Sequence, residues 1–265
     1  MHYSIIIPLF NCQKTIKKVL LSLQNQSYSR KNFEIICVDD RSTDNTVNIV
    51  NKFKNVKLIK LPRNGGNGKT KNIGVKHAKG EIVFFVDDHM YLDRNALKNL
   101  DKLFMKNSNI SGICGYYESH KKEDGNVFRD IRRRTIYGKD GITKTISFSS
   151  FTPFSVTIGA FKKNLFSKFL FPEDFGKNSS EDIVFQIRHH YNGIKFLYSA
   201  SVRGIHDHNL DFANTFKKLL IEIKGTGDLI YVFLSKKSKN TVSVRVSKLS
   251  SSFYDSRNIH IFLRC

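Results

Sequence analysis

NGGNGKTKNIGVKHAKGEIVFFVDDH, residues 64–89, runs from a glycine-rich turn through a helical stretch into an apolar run that stops on two aspartates and a histidine. A glycine-rich turn that opens a helix presents free backbone N–H groups, an arrangement suited to an anion. The run at 82–86 has no polar residue and reads as a strand buried on both faces. Gly68, Lys69 and Thr70 also spell the end of a nucleoside-triphosphatase phosphate loop, with Asp87 as its Mg²⁺ partner. That loop needs a glycine five residues before Gly68, where this chain has Arg63, and it belongs after the first strand of a domain. Here the turn follows the third strand, so a triphosphatase using Lys69, Thr70 and Asp87 stands as the alternative reading.

Working outward, strand and helix signals alternate. YSIIIP (3–8) is an apolar run closed by Pro8, and Asn11 after it reads as a helix start, with Ile16, Val19, Leu20 and Leu23 at helical spacing. FEIICVDD (33–40) and VKLIKLP (56–62) are two more strands. A helix is expected after each, and another near 94–106. Such alternation predicts a mostly parallel sheet with helices on both faces, which binds ligands at the carboxyl ends of its strands. Asp39 and Asp40 end the second strand; Asp87, Asp88 and His89 end the fourth. Carboxylates gathered on one edge repel unless a cation or a proton relieves them.

The formal net charge is +21 over 265 residues. A surface so basic points to a polyanionic partner, such as phosphorylated substrates or an anionic membrane surface. A non-catalytic nucleic-acid-binding protein is the last-ranked alternative and nucleic acid is not the expected partner, because acidic clusters sit at the strand ends where its phosphates would be repelled. Cys12, Cys37, Cys114 and Cys265 lack C-x-x-C spacing, which argues against a zinc cage or disulfide scaffold and for a reducing compartment. The N-terminal stretch has no basic segment ahead of a long apolar core, and no apolar run approaches the length of a membrane span. The expected location is cytoplasmic, either soluble or peripheral at the inner face of the cell membrane.

Four segments, in order, resemble the glycosyltransferase family 2 enzymes of the GT-A fold. SIIIPLFN is similar to the family's opening strand and EIICVDDRSTDNT to its nucleotide-binding segment. Residues 64–89 resemble its glycine turn, helix and metal strand, and SSEDIVFQIRHHYNG the segment of its catalytic base. The resemblance implies a Rossmann-like, mostly parallel sheet flanked by helices, with a smaller irregular β/α half on the acceptor side. It implies an inverting sugar transfer from a nucleotide-diphosphate sugar, a UDP-sugar above all, to a glycan or lipid-linked acceptor. Pro8, Asp39, Asp40, Lys71, Asp87 and Asp88 would line the donor, with Lys71 as a point cation near the diphosphate. Asp87, Asp88, His89 and a late histidine, His206 or His208, would hold Mn²⁺ or Mg²⁺. The family's D-x-D signature reads Asp-Asp-His here. Asp182 matches the general base. Its neighbour Glu181 points about 100° away on a helix, so both are not expected to face one site. A helix N-terminus also favours the anion, so the pKa of Asp182 should stay low unless burial opposes it.

The expected division is a transferase domain over 1–230, with a nucleotide-sugar half at 1–115 and an acceptor half at 116–230, then a basic tail at 231–265. Within the acceptor half, 118–155 would shape the acceptor site, and RDIRRR (129–134) reads as a solvated face or a contact to a phosphorylated carrier.

Overall fold

The computed structural model describes residues 2–119, 144–146, 156–173, 181–192 and 194–207, with short strands at 237–238, 241–244 and 259–261. RDIRRR, most of 118–155, His208 and most of the basic tail lie outside the described residues.

In chain order the strands are β1 (Tyr3–Leu9), β2 (Phe33–Asp39), β3 (Val56–Lys60), β4 (Ile82–Val86), β5 (Met90–Leu92), β6 (Gly112–Ser119), β7 (Lys144–Ile146), β8 (Ile158–Lys162) and β9 (Phe196–His206). The helices are α1 (Ile16–Gln24), α2 (Thr46–Val50), α3 (Gly66–His77), α4 (Ala96–Lys106) and α5 (Glu181–Tyr191). One sheet runs β3-β2-β1-β4-β8-β6-β9-β5, and β7 pairs with β9 off that path. The β3-β2-β1-β4 half is wholly parallel, as the strand–helix alternation predicts. Beyond β4 the sheet is mixed: β8 is antiparallel to β4 and β6, β6 is parallel to β9, and β5 is antiparallel to β9. The three last strands, β10 (Lys237–Ser238), β11 (Thr241–Val244) and β12 (Ile259–Ile261), form a separate antiparallel ribbon.

The apolar strands are buried on both faces because helices cover both. Ile5, Ile7 and Leu9 of β1 pack with Ile16, Val19, Leu20 and Leu23 of α1 and with Leu97, Leu100 and Phe104 of α4. The residue between, Ile6, faces the other layer, with Val83 and Phe85 of β4 and the rings of Phe161, Phe171 and Phe185. Period-two alternation of side chains makes one strand serve two cores. The helix after β1 begins at Ile16, not near Asn11 as the sequence reading placed it. Asn11 sits at φ 50° instead, and its side-chain oxygen accepts the Thr43 N–H at 2.8 Å. An asparagine able to adopt that backbone conformation is worth more there as a loop tie than as a cap.

Helix α3 has a weak apolar stripe, yet Gly68, Thr70, Lys71, Asn72, Gly74 and Val75 are all buried on it. Small residues let it approach the sheet: a Cβ on Gly74 would lie 2.4 Å from Ile6 Cγ2. Gly74→Ala is therefore expected to cost about 1–3 kcal/mol through overpacking, read as a lower urea midpoint. A midpoint equal to the parent's would mean that α3 stands farther from β1 than described.

Candidate active site

The carboxyl ends of β1, β2 and β4 form one edge, and the loops that leave it are tied together. The Asp40 N–H donates to Leu9 O at 2.9 Å, the Leu61 N–H to Asp39 O at 2.9 Å, and the Cys12 N–H to Thr46 Oγ1 at 2.8 Å. The four strand-end carboxylates do not crowd one point; each has its own partner. Asp39 accepts the Ser42 N–H at 3.2 Å. Asp40 accepts the N–H groups of Gly65 and Gly66 at 2.6 and 2.9 Å, so both of its oxygens are committed to the glycine turn that opens α3. Gly66, at φ 81°, needs the freedom of a residue without Cβ to complete that turn. Pro8, half-buried in β1, lies level with Val38 of β2.

Asp87 follows β4 and meets two imidazoles. Its Oδ2 lies 3.8 Å from His206 Nε2, and the His89 and His206 rings stand edge to face at 4.2 Å. One ligand atom from each of Asp87, His89 and His206 falls within a 4.8 Å span. The Asp88 carboxylate turns to His89 Nδ1 at 2.5 Å instead. Asp88, named in the sequence reading as a further ligand, is outside the Asp87–His89–His206 group, and a carboxylate on Nδ1 fixes an imidazole's tautomer. Burial pushes the Asp87 carboxyl up, but the neighbouring His206, with the charges of His89 and Lys71, outweighs it and holds Asp87 well below the usual carboxylate range.

His206 is brought to Asp87 by sheet pairing that the sequence did not reveal. Met90 of β5 pairs with His206 at the end of β9. The next residue, Asp207, donates its N–H to His89 O at 2.8 Å and accepts a short hydrogen bond from the Tyr91 hydroxyl. Tyr91 and Asp207 are thus part of the site's frame, although no motif marked them.

Asp182 lies at the start of α5, where its carboxylate retains 19 % exposure. The Lys71 ammonium, 2 % exposed, donates to Asp182 Oδ1 at 2.5 Å and to Glu181 Oε1 at 3.0 Å. Asn67 Nδ2 also donates to that Glu181 oxygen, at 2.6 Å. The two adjacent carboxylates, expected to diverge, therefore meet on one cation, because the long lysine ends between them. Burial pushes the Asp182 carboxyl up to about 7, against the opposing charge of Lys71 and with the charges of Glu181 and Asp87 adding to it. The low pKa expected from the helix N-terminus is overridden by burial.

Of the residues in the triphosphatase alternative, Thr70 turns inward. The Thr70 hydroxyl is buried and donates to Asn67 O at 2.8 Å within α3.

A family model described as glycosyl transferase family 2 matches residues 4–169. A poly(ribitol-phosphate) beta-N-acetylglucosaminyltransferase, TarS, of Staphylococcus aureus is 32% identical over 205 residues, which is 72% of this chain and 33% of the relative. The chain thus spans about a third of that relative's length. The crystal structure of S. aureus TarS 1–349 in complex with UDP matches with a TM-score of 0.66 at 22% identity, over 88% of this chain and 73% of that one. A mannosyltransferase from Pyrobaculum calidifontis, solved with GDP-Man and Mn²⁺, matches with a TM-score of 0.67 at 20% identity, over 90% of this chain and 65% of that one. The architecture is the GT-A fold of these enzymes. The matched segment builds β1 to β4 and carries Asp40, Lys71 and Asp87, and over it the chain belongs to glycosyl transferase family 2.

Proposed function

We propose that this chain transfers a sugar, with inversion, from a UDP-sugar to a hydroxyl of a polyol-phosphate polymer, and that Asp182 is the general base. The observation that carries the reading is the partly buried Asp182 carboxylate, held by Lys71 and close enough to Asp87 to feel its charge, beside the Asp87–His89–His206 cluster. The residues fit a divalent cation: one carboxylate and two imidazoles converge, with Asp88 orienting one imidazole. Such a cation, held by Asp87, His89 and His206, supplies Lewis acidity that draws charge from a departing diphosphate.

The chain's own residues do the rest. Asp182 takes the proton of the acceptor hydroxyl as its oxygen attacks the anomeric carbon. The carbon–oxygen bond to the diphosphate breaks on the opposite face, and its electron pair leaves with the nucleotide. Asp39, Asp40 and Pro8 form the nucleotide end, where Asp40 acts through the glycine turn it holds. UDP as the nucleotide is supported by the TarS complex. The relative's name gives a beta product; common UDP-hexoses carry an α-anomeric phosphate, so a beta product needs inversion. The acceptor follows from charge: a surface of +21 suits a polymer of phosphodiesters better than a neutral glycan.

The test is transfer of radiolabel from UDP-GlcNAc or UDP-Glc, with Mn²⁺, to poly(ribitol phosphate). Label entering the polymer, and falling as salt screens the polyanion, is the expected result. Label entering only an uncharged glycan would reject the acceptor. Transfer from GDP-mannose alone would reject the donor.

A further inference from the structure

Lys71 was expected to face the donor diphosphate, but its ammonium lies among carboxylates. We infer that Lys71, seated by Glu181, is a positioning residue that holds the base Asp182 in its working orientation, an inference that rests on the reading of Asp182 as base. Two of the three ammonium protons go to Asp182 Oδ1 and Glu181 Oε1, at 2.5 and 3.0 Å. The Phe171 ring lies 5.0 Å from the ammonium. To reach a diphosphate the side chain would have to leave the buried Glu181 and the partly buried Asp182 without their cation, which is unfavourable. One oxygen of Asp182 is thereby held by Lys71, and the other oxygen is the one assigned to the acceptor proton.

The grip extends along α3. Asn67 secures Glu181 at 2.6 Å. Asn72 donates to Phe171 O at 2.8 Å and accepts the Phe171 N–H at 3.0 Å. Gly68 leaves room for the Pro172 carbonyl, whose oxygen would lie 2.2 Å from a Cβ there. The N-terminus of α3 is also tied by Asp40 through Gly65 and Gly66. One short helix therefore joins the nucleotide end of the edge to the base, and Lys71 is its contact with the reacting group. A base held in register by neighbours of this kind gains rate through orientation.

The experiment compares Lys71→Met and Glu181→Gln with the parent chain, by steady-state transfer from UDP-GlcNAc to poly(ribitol phosphate) with Mn²⁺ and by calorimetric titration with UDP. Lys71→Met is expected to lower kcat about 100-fold, with KM for UDP-GlcNAc and Kd for UDP held within about threefold. A Kd for UDP raised tenfold or more, with kcat nearly kept, would overturn the inference and make Lys71 a diphosphate contact. Lys71→Met leaves the buried Glu181 and the partly buried Asp182 without a cation, so Glu181→Gln guards against a folding failure, since it keeps the Lys71–Asp182 pair. It is expected to lower kcat about tenfold without changing the UDP Kd. Tighter UDP binding with an unchanged kcat would again assign Lys71 to the phosphates. Asp182→Asn is run alongside. If it stays active, the base reading fails and takes this inference with it; if it is inactive while Lys71→Met keeps its kcat, only this inference fails. The UDP titrations separate the two roles of Lys71 even should the polymer prove the wrong acceptor.

Discussion

Asp182→Asn is expected to reduce sugar transfer by about 10²–10⁴-fold, the range that a positioned general base supplies, while UDP affinity stays near that of the parent. The substitution keeps the size of the side chain and one oxygen for Lys71, so the loss would be chemical and not a collapse of α5. The pH profile carries the same assignment. Burial raises the Asp182 carboxyl to about 7, with Glu181 and Asp87 adding and Lys71 opposing. A base accepts a proton only when ionised. The rate is therefore expected to level off above that pH and to fall tenfold per unit below it. A cation at Asp87 cancels that carboxylate's contribution, so with Mn²⁺ present the limb is expected at or below about 7. Asp182→Asn should lose the limb along with the rate. A variant that transfers sugar at the parent's rate would strip Asp182 of its role.

His206→Ala and Asp87→Asn are expected to lose transfer about 100-fold or more, in the range of several kcal/mol that a metal's charge stabilisation contributes. They should weaken Mn²⁺ binding in a titration followed by electron paramagnetic resonance. Treatment with a chelator should reproduce the loss, and Mn²⁺ should reverse it in the parent chain only. The donor set of one carboxylate and two imidazoles suits Mn²⁺, Co²⁺ or Zn²⁺ better than Mg²⁺, which prefers oxygen ligands and retained water. Mn²⁺ is thus expected to support transfer at concentrations where Mg²⁺ does not. Equal support by both, or activity indifferent to a chelator, would remove the cation from the Asp87–His89–His206 cluster. Asp88→Asn offers a graded case: it keeps an oxygen for His89 Nδ1 but no charge, so metal affinity should fall less than with Asp87→Asn.

Much of the parallel half was legible from local pattern. Apolar runs of strand length ended on aspartates at 39–40 and 87–88, and the stripe Ile16, Val19, Leu20, Leu23 marked α1. Both are short-range signals: the period of burial follows directly from strand or helix geometry. The mixed half was not legible in the same way. Strands β8 and β5 are short, and the pairing of β6 with β9 joins residues some 85 positions apart, as between Gly112 and Phe196. No local period encodes which neighbour such a strand will choose.

The residue chemistry of the edge, a glycine turn, strand-end carboxylates, His89 and an acidic pair opening a late helix, was written into the chain order itself, because each depends on its own few neighbours. Who meets whom was settled by packing alone. Asp88 turned to His89 Nδ1, His206 met Asp87 from the far end of β9, and Lys71 reached across 111 positions to Asp182. Those pairings depend on α3 lying close against β1 through Gly74 and on β9 ending beside β5. They are set by the distance between whole elements, a quantity that no single segment contains.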